Sequence, residues 1–185
     1  MAKIPNDAKK VFEGVLFDVY HWQQELFDGS YETFEALKRK YASLCVIAVV
    51  RDKILLLREE QPILGSFTDV PGGRSEEGEK PEDGVLRELE EETGHISSNI
   101  ILFDEKNPTP KIDWSVYTFI AKNCELKKQK KLDSGEKIET YLVSFDDFLK
   151  EVEKPSFRRW MLRDLIFRLK HTPGELEKFK KLLFD

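Results

Sequence analysis

Two periodicities of apolar residues alternate along this chain of 185 residues. The first has period two, or runs unbroken over a few positions, as strands do. It covers residues 11–20, rich in β-branched and aromatic side chains, and residues 31–37. Between them Phe27-Asp28-Gly29-Ser30 carries turn chemistry, so the two segments predict an antiparallel arm. SLCVIAVV (43–50) and KILLL (53–57) are split only by Arg51-Asp52 and predict a hairpin of core strands. Residues 67–70, 100–103, 114–121 and 140–145 predict further strands.

The second pattern is helical. Pro81 suits a first helical position, and Glu82 and Asp83 complement the positive end of the dipole. Val85, Leu86 and Leu89 then give a narrow apolar stripe, and Gly94 stands where a left-handed C-cap belongs, so residues 81–93 predict a helix. Asp146 can cap a helix through about Val152, residues 156–170 are amphipathic, and a last helix follows Pro173-Gly174. Strands and helices interspersed with hairpins predict an α+β fold, a mixed sheet flanked by helices.

Composition narrows the class. Hydrophobic residues make up 40% and charged residues 35%, as in a globular domain that can bury a full core. A net charge of -5 argues against a nucleic-acid partner, but admits an anionic small molecule if cations mediate the contact. Cys45 and Cys124 lie in or beside apolar runs with no CxxC, and are expected to be buried, reduced thiols. MAKIPNDAKK has no apolar core of a signal peptide, and no apolar run approaches the roughly 20 residues of a membrane span. No membrane partner and a cytoplasmic location are therefore expected.

The candidate chemistry lies in PGGRSEEGEKPEDGVLRELEEETGH (71–95). Glu88 and Glu92 are one turn apart on the predicted helix and share a face, which Glu91 borders. Their repulsion would be relieved by a cation. Arg87 is four residues from Glu91 and can hold that carboxylate. Gly72-Gly73 allows the backbone to approach a ligand closely and expose a carbonyl. Oxygen donors of this kind suit Mg2+, which takes one or two carboxylates plus substrate phosphates and keeps several waters.

From Gly73, five residues lead to Glu79, seven more to Arg87, and then Arg87-Glu88-Leu89-Glu90-Glu91-Glu92-Thr93-Gly94. This order resembles the signature of the Nudix hydrolase family at every charged and glycine position; His95 stands where the family has an apolar residue. The resemblance implies a Nudix-type α/β/α sandwich with a mixed β-sheet and an N-terminal antiparallel β arm. The chain would be one domain over 1–185: an arm at 1–42, a Nudix core at 43–150 and C-terminal helices at 151–185. It further implies Mg2+ or Mn2+ held by Glu88, Glu92, Glu91 and the Gly72 carbonyl, with Arg87 and Glu79 orienting helix and loop.

Outside the motif the chain most resembles the ADP-ribose pyrophosphatase branch, through an arm with an Asp-Gly turn and prolines (Pro108, Pro110) beyond the motif. That branch implies hydrolysis of ADP-ribose or a related nucleotide sugar to AMP and a sugar phosphate, by a homodimer joined through the arm. Family enzymes often draw a base from a loop past the motif. Glu136 is the first choice here and Glu139 the second. After the predicted core hairpin, Gln61 is kept but the arginine that usually follows at the second position is absent, and Arg58 or Arg74 could stand in for it. Trp22 on the arm and Trp114 are candidate substrate contacts, with core or dimer packing the alternative for Trp22 and core packing for Trp114. Two rival readings stay open: another nucleotide substrate (a nucleoside triphosphate, a dinucleoside polyphosphate or a capped nucleic-acid end), or a nucleotide-sensing module without catalysis.

Overall fold

The computed structural model describes residues 4–132, 135 and 137–185. The chain opens with β1 (Lys9–Glu13), β2 (Phe17–Glu25) and β3 (Tyr31–Arg39), followed by β4 (Ser43–Val50), β5 (Lys53–Gln61) and β6 (Gly65–Asp69). Helix α1 (Pro81–Thr93) leads to β7 (His95–Ile96), β8 (Asn99–Lys106), β9 (Ile112–Asp113), β10 (Val116–Lys122), β11 (Glu125–Leu126) and β12 (Lys137–Val143). Helices α2 (Phe145–Glu153), α3 (Trp160–His171) and α4 (Glu175–Phe184) close the chain.

The main sheet has the order β12-β5-β4-β10-β8, with β6 paired to β5. The β4–β10 pair is parallel and the other pairs are antiparallel, so the sheet is mixed. β4 is apolar from Leu44 to Val50 because both of its faces are covered. Leu44, Val46 and Ala48 face α1 through Val85 and Leu89. Cys45, Ile47 and Val49 face the other way, with Phe148 and Val152 of α2, Leu162 and Ile166 of α3, and Phe179 and Leu183 of α4. The result is the expected three-layer sandwich. Cys45 and Cys124 are buried free thiols. No described helix is long and apolar enough to cross a membrane.

The arm is a separate sheet, β1-β2-β3-β9, in which β1, β2 and β3 pair antiparallel and β9 adds in parallel. Residues 11–20, read as one strand, are in fact two, interrupted at Gly14 where β1 turns into β2. Phe145 begins α2 where it had been expected to end a strand, and the cap is Ser144, which accepts from the Asp147 amide, in place of Asp146. α3 starts at Trp160, four residues later than the amphipathic pattern begins.

Candidate metal and substrate site

The site grows from the segment that joins β6 to α1. Residues 71–75 run back along the start of β4: Val46 N–H donates to Pro71 O at 2.9 Å, Leu44 N–H to Gly73 O at 3.0 Å, and Ser75 N–H to Ala42 O at 3.0 Å. The fit leaves no room for a side chain at Gly72 and crowds one at Gly73. At Gly72 (φ +145°) a Cβ would stand 2.3 Å from the Leu44 carbonyl oxygen. At Gly73 it would stand 2.5 Å from a Glu88 carboxylate oxygen.

α1 presents its carboxylates to this segment. Pro81 opens the helix and Gly94 closes it in the left-handed conformation, its N–H donating to Glu90 O. Glu92 is 8% exposed and accepts from the Gly72 N–H at 2.8 Å. Glu88 lies against Gly73. Burial pushes both carboxyls above the usual range; for Glu92, far the more affected, the Gly72 N–H opposes the shift and Glu88 adds to it. Arg87 binds Glu79 through two hydrogen bonds, at 3.0 and 3.1 Å, and reaches Glu88 and Glu91 at 3.0 Å each. It also donates to the Arg74 carbonyl at 3.0 Å, so one guanidinium ties helix to loop. Glu79 is held below its ordinary range chiefly by that arginine.

These donors suit a hard divalent cation. Two carboxylates whose charged forms are disfavoured by burial converge on one backbone segment. Among the described residues no three ionisable side chains form a ready cage. The same segment carries the Gly72 carbonyl, which accepts from Arg159 Nη2 at 2.8 Å, while Arg87 engages Glu91. One or two carboxylates with a carbonyl, the balance coming from water and phosphate, is the pattern that Mg2+ accepts.

Beside the acidic helix stands a cationic and aromatic wall. Trp114 Nε1 donates to Ser43 Oγ at 3.1 Å, at the β4 end of the site. The Arg39 guanidinium lies over the Trp114 ring at 4.8 Å and near Phe17 at 5.9 Å; that of Arg74 lies over Tyr41 at 5.6 Å. Burial first, then the like charge of Arg74, disfavour the Arg39 cation. Its Nε is buried without a hydrogen-bond partner among the described residues. Two such cations close together favour an anion between them.

Thus Arg74 and Trp114 join the loop that carries Gly72, but Arg58 does not. In β5, Leu55 packs toward α1, whereas Ile54 and Leu56 pack toward the C-terminal helices. Alternation places Arg58 on the second face, where its guanidinium lies over Tyr141 and 3.5 Å from Glu139. Glu139 therefore pairs outward too. Trp22 stays on the arm, against Phe34 and bonded to Gln24. Glu136 lies outside the described residues.

Arg39 was not among the sequence candidates, nor were three others near the site. Glu59 is buried on β5 and its charge raises the Glu92 pKa. Asp69 is 1% exposed and pairs with Arg159 at 2.9 Å. Only the paired acids Glu59-Glu60, just past an apolar strand, could have drawn attention beforehand. His95, at the family's apolar position, is buried and bonded to Thr93; burial lowers its pKa, so the neutral ring packs there as an apolar residue would.

A NUDIX domain model matches residues 38–165. The ADP-ribose pyrophosphatase of Bacillus subtilis (strain 168) is 30% identical over 148 residues, covering 78% of this chain and 80% of that one. The methanol dehydrogenase activator of Bacillus methanolicus is 25% identical over 151 residues, 80% and 81% of the two chains. A solved structure titled as an ADP compounds hydrolase superposes with a TM-score of 0.69 at 17% identity, over 88% of this chain and 90% of its own, which shows the shared fold. With the motif on α1 and these matches, the chain belongs to the Nudix hydrolase family.

Proposed function

We propose that this chain hydrolyses the diphosphate of ADP-ribose, or of a related nucleotide sugar, to AMP and a sugar phosphate, with Mg2+ or Mn2+. The observation that carries the reading is the meeting, along residues 71–75, of the Glu88–Glu92 face with the Arg39–Arg74–Trp114 wall. A diphosphate needs cations on its oxygens, and a purine or ribose needs a flat apolar face. The similarity to an ADP-ribose pyrophosphatase supports the substrate class.

Glu88, Glu92 and the Gly72 carbonyl would hold the metal, with Glu91 able to join them on release from Arg87. When bound, the metal neutralises the phosphate oxygens and acidifies water. Arg87 keeps α1 and the loop in register through Glu79 and the Arg74 carbonyl. Arg39 and Arg74 would take oxygens of the diphosphate, and Trp114 would flank the nucleoside. Water attacks one phosphorus, the bridging P–O bond breaks, and the departing phosphate takes that electron pair. The proton from the water passes to a carboxylate, for which Glu136 stays the first choice. Glu139 is the weaker candidate, given its outward pairing with Arg58.

The same proposal includes a homodimer through the arm. Val11, Phe12, Val15 and Phe27 are exposed there and could be covered by the arm of a second copy. Light scattering at micromolar concentration should give twice the chain mass; a monomer contradicts the dimer. Incubation of the protein with ADP-ribose, nucleoside triphosphates, dinucleoside polyphosphates and capped RNA, with Mg2+ or with EDTA, tests the substrate. AMP from ADP-ribose with Mg2+ alone is expected. Turnover of another class in its place, or binding without turnover, overturns the reading.

A further inference from the structure

Arg159 comes from the opposite layer of the sandwich and ends in the metal-binding loop. It stands just before α3, which packs on the face of the sheet away from α1. Residues 156–158 lie along β6: Thr68 N–H donates to Ser156 O and Arg158 N–H to Thr68 O, both at 2.9 Å. This pairing sets the next side chain between β6 and β4. β4 and β5 are paired only near their shared turn, at Val49 and Val50, so they splay apart at this end. The Arg159 fork fills the gap. Its Nε donates to Asp69 at 2.9 Å, Nη1 to Leu44 O at 3.1 Å and Nη2 to Gly72 O at 2.8 Å.

We propose that Arg159 is a positioning residue of the metal site, which fixes the Gly72 carbonyl in the direction a cation needs. The proposal rests on the reading of Glu88, Glu92 and that carbonyl as ligands. Gly72 is restrained at both ends: Glu92 takes its N–H and Arg159 takes one lone pair of its carbonyl oxygen. The second lone pair stays available. Asp69 pairs with the guanidinium at 2.9 Å, so the buried cation has a carboxylate partner of its own. A planar fork spreads its donors over three nitrogens and can span these acceptors from a single rotamer, whereas a lysine has one nitrogen to place. Gly72 gains from this restraint because no side chain of its own limits it.

The test uses the full chain and Mn2+ as the probe, with free Mn2+ read by electron paramagnetic resonance in the absence of nucleotide. Wild type should bind, and Glu92→Gln should lose binding. Arg159→Lys keeps the charge opposite Asp69 and loses the fork; Mn2+ affinity should fall about tenfold while cooperative thermal unfolding is retained. In hydrolysis assays the Mn2+ concentration at half-maximal rate should rise by a similar factor, with the nucleotide KM at saturating Mn2+ unchanged. Arg159→Gln, which removes the charge but keeps a donor, is read beside it. A residue that only supports the fold would lower the Tm and leave Mn2+ affinity where it was. Wild-type Mn2+ affinity in either folded Arg159 variant, with binding lost in Glu92→Gln, overturns the proposal alone. Mn2+ binding that survives Glu92→Gln overturns the ligand reading, and the proposal with it.

Discussion

The Gly72 N–H donates to Glu92 Oε2 at 2.8 Å, although Glu92 is 8% exposed and its carboxyl is pushed far above the usual range by burial. A single backbone donor does not offset the removal of a carboxylate from water. The buried Glu92 carboxylate thus costs the fold stability, as groups kept for binding often do.

Glu92→Gln should therefore cut turnover on the order of 1,000-fold and stabilise the metal-free protein. The sign follows from linkage. A carboxyl whose folded pKa is raised binds more protons in the native state than in the unfolded one. Its stability contribution is complete below about pH 4.3, the unfolded value, and is lost as pH rises through the folded pKa. The Tm difference between variant and wild type in EDTA should widen as pH rises above that value, and Mg2+ should raise the wild-type Tm alone. Thermal scans from pH 4 to 8 check this.

Gly72→Ala and Gly73→Ala should fail differently. At Gly72 the new Cβ meets backbone, the Leu44 carbonyl at 2.3 Å, which cannot move without disturbing β4. A loss of about 3 kcal/mol or more is expected by denaturant unfolding. At Gly73 the Cβ meets the end of the Glu88 side chain, which can swing away. That variant should fold with near wild-type stability, and calorimetry should show weakened Mg2+ or Mn2+ binding.

Glu79→Gln should flatten the acid limb of stability. Arg87 holds the Glu79 carboxyl below its ordinary range, so its contribution is present above the unfolded pKa and is lost as pH falls through the folded one. The pair is partly exposed, and about 1 kcal/mol is expected at pH 7. The difference in urea midpoint between variant and wild type should shrink as pH falls below about 4.

Arg39→Ala and Arg58→Ala separate the two faces of the sheet. Arg39, partly buried over Trp114, should raise the substrate KM about tenfold or more when truncated. Arg58, on the opposite face with Glu139, should leave kcat and KM within about twofold and stability within about 0.5 kcal/mol. Steady-state kinetics on both variants decide.

What was legible in the sequence followed from local rules. Pro81, the apolar stripe and Gly94 bound α1 to the residue, and the spacing of Arg87 and Glu91 foretold their 3.0 Å contact. The loop and its glycines were readable for the same reason. Arg58 could not be told from Arg74 in the sequence, because residues 54–57 are buried on both faces and an apolar run of that kind carries no parity to say which way its neighbours point. Asp69 and Arg159 were missed because their meeting depends on how β4, β5 and β6 splay, at a sequence separation of 90. Arg39 lies past the strand predicted at 31–37, and only its packing between Phe17 and Trp114 distinguishes it from a solvated arginine.

The most direct measurement is AMP release from ADP-ribose by the purified chain, with Mg2+ and with EDTA, for wild type and Glu92→Gln. AMP and ribose 5-phosphate in equal amounts, formed by wild type with Mg2+ and nearly abolished by EDTA or by the substitution, is the expected result. AMP release undiminished in Glu92→Gln, or none from wild type with Mg2+, would contradict the account.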